Sequence, residues 1–170
     1  LAIEQRRVAS LNSALQVADD RYRLTIDSVM DAIVSVDQEQ NIVMFNLAAE
    51  RMFGVSAANI IGKPLASLMP LRGRDAHTGH VRSFMNSSVP SRGMGEKVDI
   101  FGLRADGSEF PLESAISQTV IDGKPQFTAV LRDVTERHRK DADLHRVNSE
   151  LRQLSISLQS VREEERTRIS

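Results

Sequence analysis

Apolar residues are distributed along this chain in three textures, and each predicts a different kind of element. At the start, Leu1, Val8, Leu15 and Tyr22 recur every seven residues with Leu11 and Ala18 between them, and only Glu4 breaks the seam. That spacing predicts an amphipathic helix through about residue 23. It either packs on its own domain or pairs as a parallel dimeric coil, because so short a helix is marginal without a partner.

The second texture is short and β-like. Ile33-Val34-Ser35-Val36 and Ile42-Val43-Met44-Phe45 flank the polar run Asp37-Gln38-Glu39-Gln40-Asn41, which reads as a hairpin. Small helical pieces follow between Leu47 and Met69, punctuated by Gly54, Gly62, Pro64 and Pro70, with Ser56 as the expected N-cap of a helix through Ile60. A longer helix is expected over 75–86. Three more strands are then predicted over 96–104, 109–120 and 126–134, joined by Ala105-Asp106-Gly107-Ser108 and by Asp122-Gly123. In the second of these, Phe110, Leu112, Ser114 and Ile116 share one face, and Glu113 and Ser117 the other.

The third texture is helical again. Leu144, Val147, Leu151, Leu154, Leu158 and Val161 alternate at spacings of three and four among charged and polar residues. This narrow seam suits a coiled coil or helical bundle better than a helix lying on its own domain. The whole order predicts an α+β fold: a five-stranded antiparallel sheet with short helices on one face, flanked by N- and C-terminal coiled-coil helices. The expected segments are 1–23, 24–135 and 136–170.

Composition narrows the chemistry. A net charge of −1 with pI near 6.5 argues against a nucleic-acid-binding domain. The absence of cysteine excludes disulfides, thiolate-ligated metals, a cysteine nucleophile and a flavin–cysteine photoadduct. No phosphate-cradling glycine loop, HExxH or nucleophile elbow occurs, so an enzymatic reading has no motif to rest on. No apolar run has the length of a membrane span. The helical texture at both ends reads as an excised piece of a longer, cytoplasmic protein whose parent carries any membrane anchor.

Asp27-Ser28 before Asp31-Ala32-Ile33, and Asn46 through Gly54, resemble the first hairpin and following helix of the PAS family, in particular its FixL-like subgroup. Ile60-Ile61-Gly62-Lys63-Pro64 and Leu68-Met69-Pro70 fit the next segments. Arg104-Ala105-Asp106-Gly107-Ser108-Glu109-Phe110-Pro111 is close to the R-x-D-G-S-x-F-P hairpin, and Asp133-Val134-Thr135 matches the D-[IV]-T junction between sheet and output helix. The C-terminal Leu151-Arg152-Gln153-Leu154-Ser155 and Arg162 through Ile169 resemble the start of the dimerisation helix in nitrate-sensor-like histidine kinases. In those proteins the phosphoacceptor histidine follows within a few residues, so no autophosphorylation is expected of this chain itself.

The resemblance also points to a cofactor. Of four histidines, His138 and His145 lie in the charged linker helix and read as solvated; His77 and His80 fall on the helix after Pro70. FixL-type domains place their proximal haem ligand at the position matched by His77, which makes haem b the candidate cofactor and His77 its iron ligand. Leu112 and Ile116, with Ser114 between them, would floor the porphyrin. The family's distal gas-binding arginine falls at Val98, and its propionate-binding arginine falls at Ser83 beside Arg82. A small organic ligand or a pocket filled by its own side chains is the alternative.

The resemblance therefore implies a sensory PAS module of a two-component sensor histidine kinase. A ligand or redox signal would pass through Asp133, Val134 and Thr135 into a dimeric helix, with the parent kinase domain and a response regulator as partners. The alternatives are a ligand-free dimerisation and docking module, or a sensor for another output domain.

Overall fold

The computed structural model describes residues 2–75, 77, 79, 91–92 and 100–169. The chain divides into two compact units, Leu1–Asp133 and Val134–Ser170.

The first unit opens with helix α1 (Ala2–Asp27), which buries none of its residues. It runs past the expected end near residue 23, because Leu24, Thr25 and Ile26 continue the helical turn and Ser28 closes it by donating its backbone N–H to Leu24 at 3.0 Å. Strand β1 (Ala32–Val36) follows, lies between β2 and β6 in the sheet, and is buried along its entire length. It pairs with β2 (Ile42–Phe45) through the predicted hairpin. The turn is closed by Asp37, whose carboxylate accepts from the Asn41 N–H at 2.8 Å, while Gln40 takes the left-handed conformation at φ 64°.

Helix α2 (Leu47–Phe53) is capped by Asn46 and stopped by Gly54, which has φ 70° and donates to Glu50 at 2.8 Å. Helix α3 (Ala57–Ile60) begins after Ser56 as predicted, but the Ser56 hydroxyl makes no capping bond. The Glu50 carboxylate accepts the Ala57 N–H instead, at 2.6 Å. A charged acceptor binds an orphan helix N–H more strongly than a hydroxyl does, so the upstream residue takes the place. A 3-10 turn (Leu65–Leu68) leads to Pro70 and a helical segment at 71–75, with 77 and 79 also helical. That helix therefore starts four residues before the expected 75, directly after the proline, whose fixed φ favours a first turn.

Short strand β3 (Ser91–Arg92), which the sequence pattern did not predict, is followed by β4 (Ile100–Leu103), β5 (Glu109–Ile121) and β6 (Lys124–Asp133). The remainder of the expected strand over 96–104 lies outside the described residues. All pairings are antiparallel, in the order β2-β1-β6-β5-β3, and β4 also pairs with β5. Because β3 and β4 lie along the same edge of β5, six strand segments fill five lanes, which is the predicted five-stranded sheet. Asp122 and Gly123 both have positive φ, 52° and 75°, as a two-residue type I′ hairpin turn requires. At the β4–β5 turn, Asp106 accepts from both the N–H and the hydroxyl of Ser108, and these bonds hold its carboxyl below the usual aspartate range.

The inner face of the sheet and the short helices enclose one apolar core. Ala32, Val34, Val36, Phe45, Phe110, Leu112, Phe127 and Leu131 come from the sheet, and Ala49, Phe53, Ile60 and Leu68 from the helical layer. Phe53 is its hub, with ring centroids 6.0 Å from Phe45 and 5.5 Å from Phe110.

The second unit is a single helix, α4 (Thr135–Ile169), which buries none of its residues. Leu144, Val147, Leu151, Leu154, Leu158 and Val161 are all exposed along it. Among the described residues, no helix is long and apolar enough to cross a membrane.

Candidate functional site

The inner face of β5 was expected to be the ligand floor, and the structure does place Phe110, Leu112, Ser114 and Ile116 on one side of that strand. The register sets Ser114 opposite Leu131 and Ile116 opposite Ala129. The four residues are not equivalent. Phe110 and Leu112 belong to the closed core, and Gly102 on β4 sits tightly against them. A Cβ added at Gly102 would lie 2.6 Å from the Phe110 ring and 2.9 Å from Leu112 Cδ2. Ser114 and Ile116 are only half-buried. Ile116 and Ala129 pack against the edge of that core.

His77 lies on the helical segment after Pro70 and is half-buried. The start of that segment is fixed to the sheet by Arg72, whose guanidinium lies 5.2 Å from the centre of the Phe101 ring and pairs with the carboxylate of Glu109. His80, Arg82, Ser83 and Val98 lie outside the described residues. His138 and His145 are exposed on α4, as predicted.

A second cluster forms where β6 ends. Arg104, at the end of β4, spans three groups with one guanidinium. It donates to the Asp133 carboxylate at 2.5 Å, donates to the Met52 carbonyl at the end of α2, and lies 3.8 Å over the Phe110 ring. The planar fork of arginine suits this geometry, since it can stack and donate in two directions at once. Glu109 and Asp133 are thus both ion-paired. One residue earlier in β6, Arg132 makes a two-pronged bond with Asp31 just before β1, at 3.0 and 2.6 Å. That bond is the main cause of an Asp31 pKa below the ordinary 3.8.

A third cluster was missed in the sequence. The buried Asn46 amide makes four hydrogen bonds. Its oxygen accepts from Ile33 N–H and Ala49 N–H, both at 2.9 Å, and its nitrogen donates to the Ile26 and Asp31 carbonyls, both at 3.2 Å. An amide has two donors and an acceptor oxygen with two lone pairs, so all are engaged. Asp27 adds a fifth bond by accepting the Leu47 N–H at 3.0 Å. The sequence signal was the Asn residue directly before the apolar Leu47-Ala48-Ala49, an N-cap pattern that was read only as part of a motif.

The first unit is a five-lane sheet under short helices, with the Arg104–Asp133 ion pair at the end of its last strand. The PAS-domain family profile matches residues 30–136 of the chain. The chain belongs to the PAS family. The sensor protein FixL of Bradyrhizobium diazoefficiens is 33% identical over 142 residues, which are 83% of this chain and 28% of FixL. The oxygen sensor protein DosP of Escherichia coli is 25% identical over 126 residues, 74% of this chain and 16% of DosP. Among solved structures, the PAS domain of a Colwellia psychrerythraea protein superposes with a TM-score of 0.60 at 25% identity, covering 71% of this chain and 98% of that one. The chain thus spans under a third of the length of these curated relatives. As a PAS domain it is a sensory module, and signalling proteins of several kinds carry its relatives.

Haem can be tested against this PAS unit. A haem site of the FixL type needs one neutral imidazole and an apolar wall. The half-buried His77 is such an imidazole, and Leu112 and Ile116 on the inner face of β5 are apolar side chains of that kind.

Proposed function

We propose that this PAS unit is the sensory and relay segment of a sensor histidine kinase, acting as a homodimer in the cytoplasm. The observation that carries this reading is the Arg104–Asp133 pair. It fixes the last residue of β6 to the end of α2 and to the core ring of Phe110, and α4 begins two residues later at Thr135. Val134 between them is buried, and its carbonyl accepts the His138 N–H at 2.9 Å, which makes the start of α4 regular from its first turn. In this reading a change in the sheet passes along the chain through Asp133, Val134 and Thr135 into the helix.

The exposed seams of α1 and α4 support a dimer. Val8, Leu11, Leu15 and Tyr22 on the first, and the six apolar residues of the second, face solvent in a single chain. Burying them against a second copy offsets the low intrinsic stability of a lone helix. A kinase domain and a response regulator would be the downstream partners. Replacing Asp133 or Thr135 in the intact parent is expected to uncouple signal from kinase output, and an unchanged response would sink this route.

For the signal, haem b is the cofactor the residues suit. His77 would hold the iron, while Ser114 and Ile116 would lie against the macrocycle; the group would supply a coordination position for a diatomic gas. A Soret band that disappears in His77→Ala is the expected result, and a colourless protein after haem reconstitution removes the assignment. The second reading, a ligand-free docking PAS, is favoured by the tight approach of Gly102 to Phe110 and Leu112, which fills one end of the inner face with protein.

A further inference from the structure

The PAS unit continues into a flanking helix at two places, α1 and the end of β6. The hydrogen bonds join these two places through α2 without passing through the Ser114–Ile116 floor. At the start of α2 the attachment is reciprocal. Asp27, the last residue of α1, accepts the N–H of Leu47, the first residue of α2, at 3.0 Å. Asn46, the N-cap of α2, donates to the Ile26 carbonyl in the last turn of α1 at 3.2 Å. Each helix end thereby satisfies a backbone group that the other end leaves without an intrahelical partner.

At the far end of α2 the Phe53 carbonyl accepts the Ala105 N–H at 2.8 Å, and the Met52 carbonyl accepts from Arg104. Arg104 divides its donors between that carbonyl and the Asp133 carboxylate. Between the two ends lie only seven residues, about 10 Å of helix. Ala49 and Phe53 are buried in the core, and Gly54 closes the last turn, so α2 is held along its length.

We propose that α2 is a strut through which the upstream helix acts on the Asp133 junction, giving the PAS unit a mechanical input from its N-terminal side separate from any ligand. A tilt or rotation of α1 reaches Arg104 as a displacement of the Met52 and Phe53 carbonyls, and Arg104 passes it to Asp133. This rests on the reading of Asp133 as the output junction. The coupling runs both ways, since a constraint at Asp133 must equally alter how α1 is held.

The test is site-resolved amide hydrogen exchange on the full 170-residue chain. Asp27 is exposed, so its replacement leaves the core intact. In Asp27→Ala, exchange at Ala105 is expected to rise roughly fivefold, the factor for one lost capping bond, while Thr128 in the sheet centre stays unchanged. Asp27→Asn keeps an acceptor oxygen and restores the Ala105 rate. In the reverse direction, Arg104→Gln raises exchange at Leu47. A faster Leu47 with an unchanged Ala105 in Asp27→Ala would overturn the strut, and so would equal acceleration of Ala105 and Thr128, which signifies general loosening. The two readings fail separately. Uncoupled exchange removes the strut with the junction intact, whereas coupled exchange with a fully responsive Asp133→Ala parent removes the junction.

Discussion

Arg104 and Asp133 are 29 residues apart in sequence, yet they form an ion pair at 2.5 Å with both side chains roughly 70% withdrawn from solvent. Partial burial and the extra contacts to Met52 and Phe110 set this pair apart from a surface salt bridge, which is worth little. Replacing Arg104 by Ala removes a charged hydrogen bond and a cation–π contact together. The expected loss is about 2–3 kcal/mol, measured by urea unfolding. Arg104→Lys keeps the charge without the planar fork and should recover under half of it.

Asn46→Ala should be among the costliest single substitutions in the PAS unit. It deletes four bonds and leaves the Ile33 N–H without its acceptor in the core. The expected destabilisation is about 2–4 kcal/mol by chemical denaturation. Asn46→Asp is a sharper probe, since it turns an acid oxygen toward two carbonyls. Ionisation there is disfavoured, so this variant should be less stable at neutral pH and regain stability as the pH falls.

Gly102→Ala tests whether the β4 end of the inner face is filled by protein. The new methyl would meet the Phe110 ring and Leu112 at distances no real Cβ keeps. A loss of about 1–3 kcal/mol is expected, with partial recovery in the double variant Gly102→Ala/Phe110→Leu. No loss would mean that this end of the face is roomier than it stands.

The Asp31–Arg132 pair has a definite pH signature. The folded pKa of Asp31 lies below 3.8, so the folded state binds fewer protons there than the unfolded chain. Its contribution is complete above the ordinary aspartate pKa and fades as the pH falls through the lowered folded value. Nuclear magnetic resonance titration of the Asp31 carboxyl should show the depression. Arg132→Leu should return it toward 3.8 and flatten stability between about pH 5 and 2.

Leu151 lies in the middle of the α4 seam and is 60% exposed in one chain. If that seam pairs with a second copy, Leu151→Lys should weaken dimerisation at least about tenfold by sedimentation equilibrium, because two buried leucines are lost per dimer. An unchanged monomer–dimer balance would place the contact elsewhere.

The fold was legible where a local rule decides the outcome. Asp122-Gly123 announced its hairpin because few other dipeptides accept positive φ at both positions, and the alternation from Phe110 to Ile116 fixed which side of β5 faces inward. Long-range polar contacts were not legible. Asn46 takes its carbonyl partners 15 and 20 residues away, and no spacing rule connects them. The R-x-D-G-S hairpin and the D-[IV]-T junction were read separately, although Arg104 of the first holds Asp133 of the second. Ser56 looked like a cap by residue type, but Glu50 outcompeted it through an approach only the folded chain permits.

The two margins of the sheet have one more consequence. On one side, among the described residues, the outermost lane holds a two-residue strand and a four-residue strand. On the other, Ile42 of β2 already exchanges backbone bonds with Gly62 and Lys63, at 2.7 and 2.9 Å. Among the described residues, neither margin offers a long row of open backbone donors and acceptors to a foreign strand, an arrangement that discourages crowded copies from zipping edge to edge into fibres.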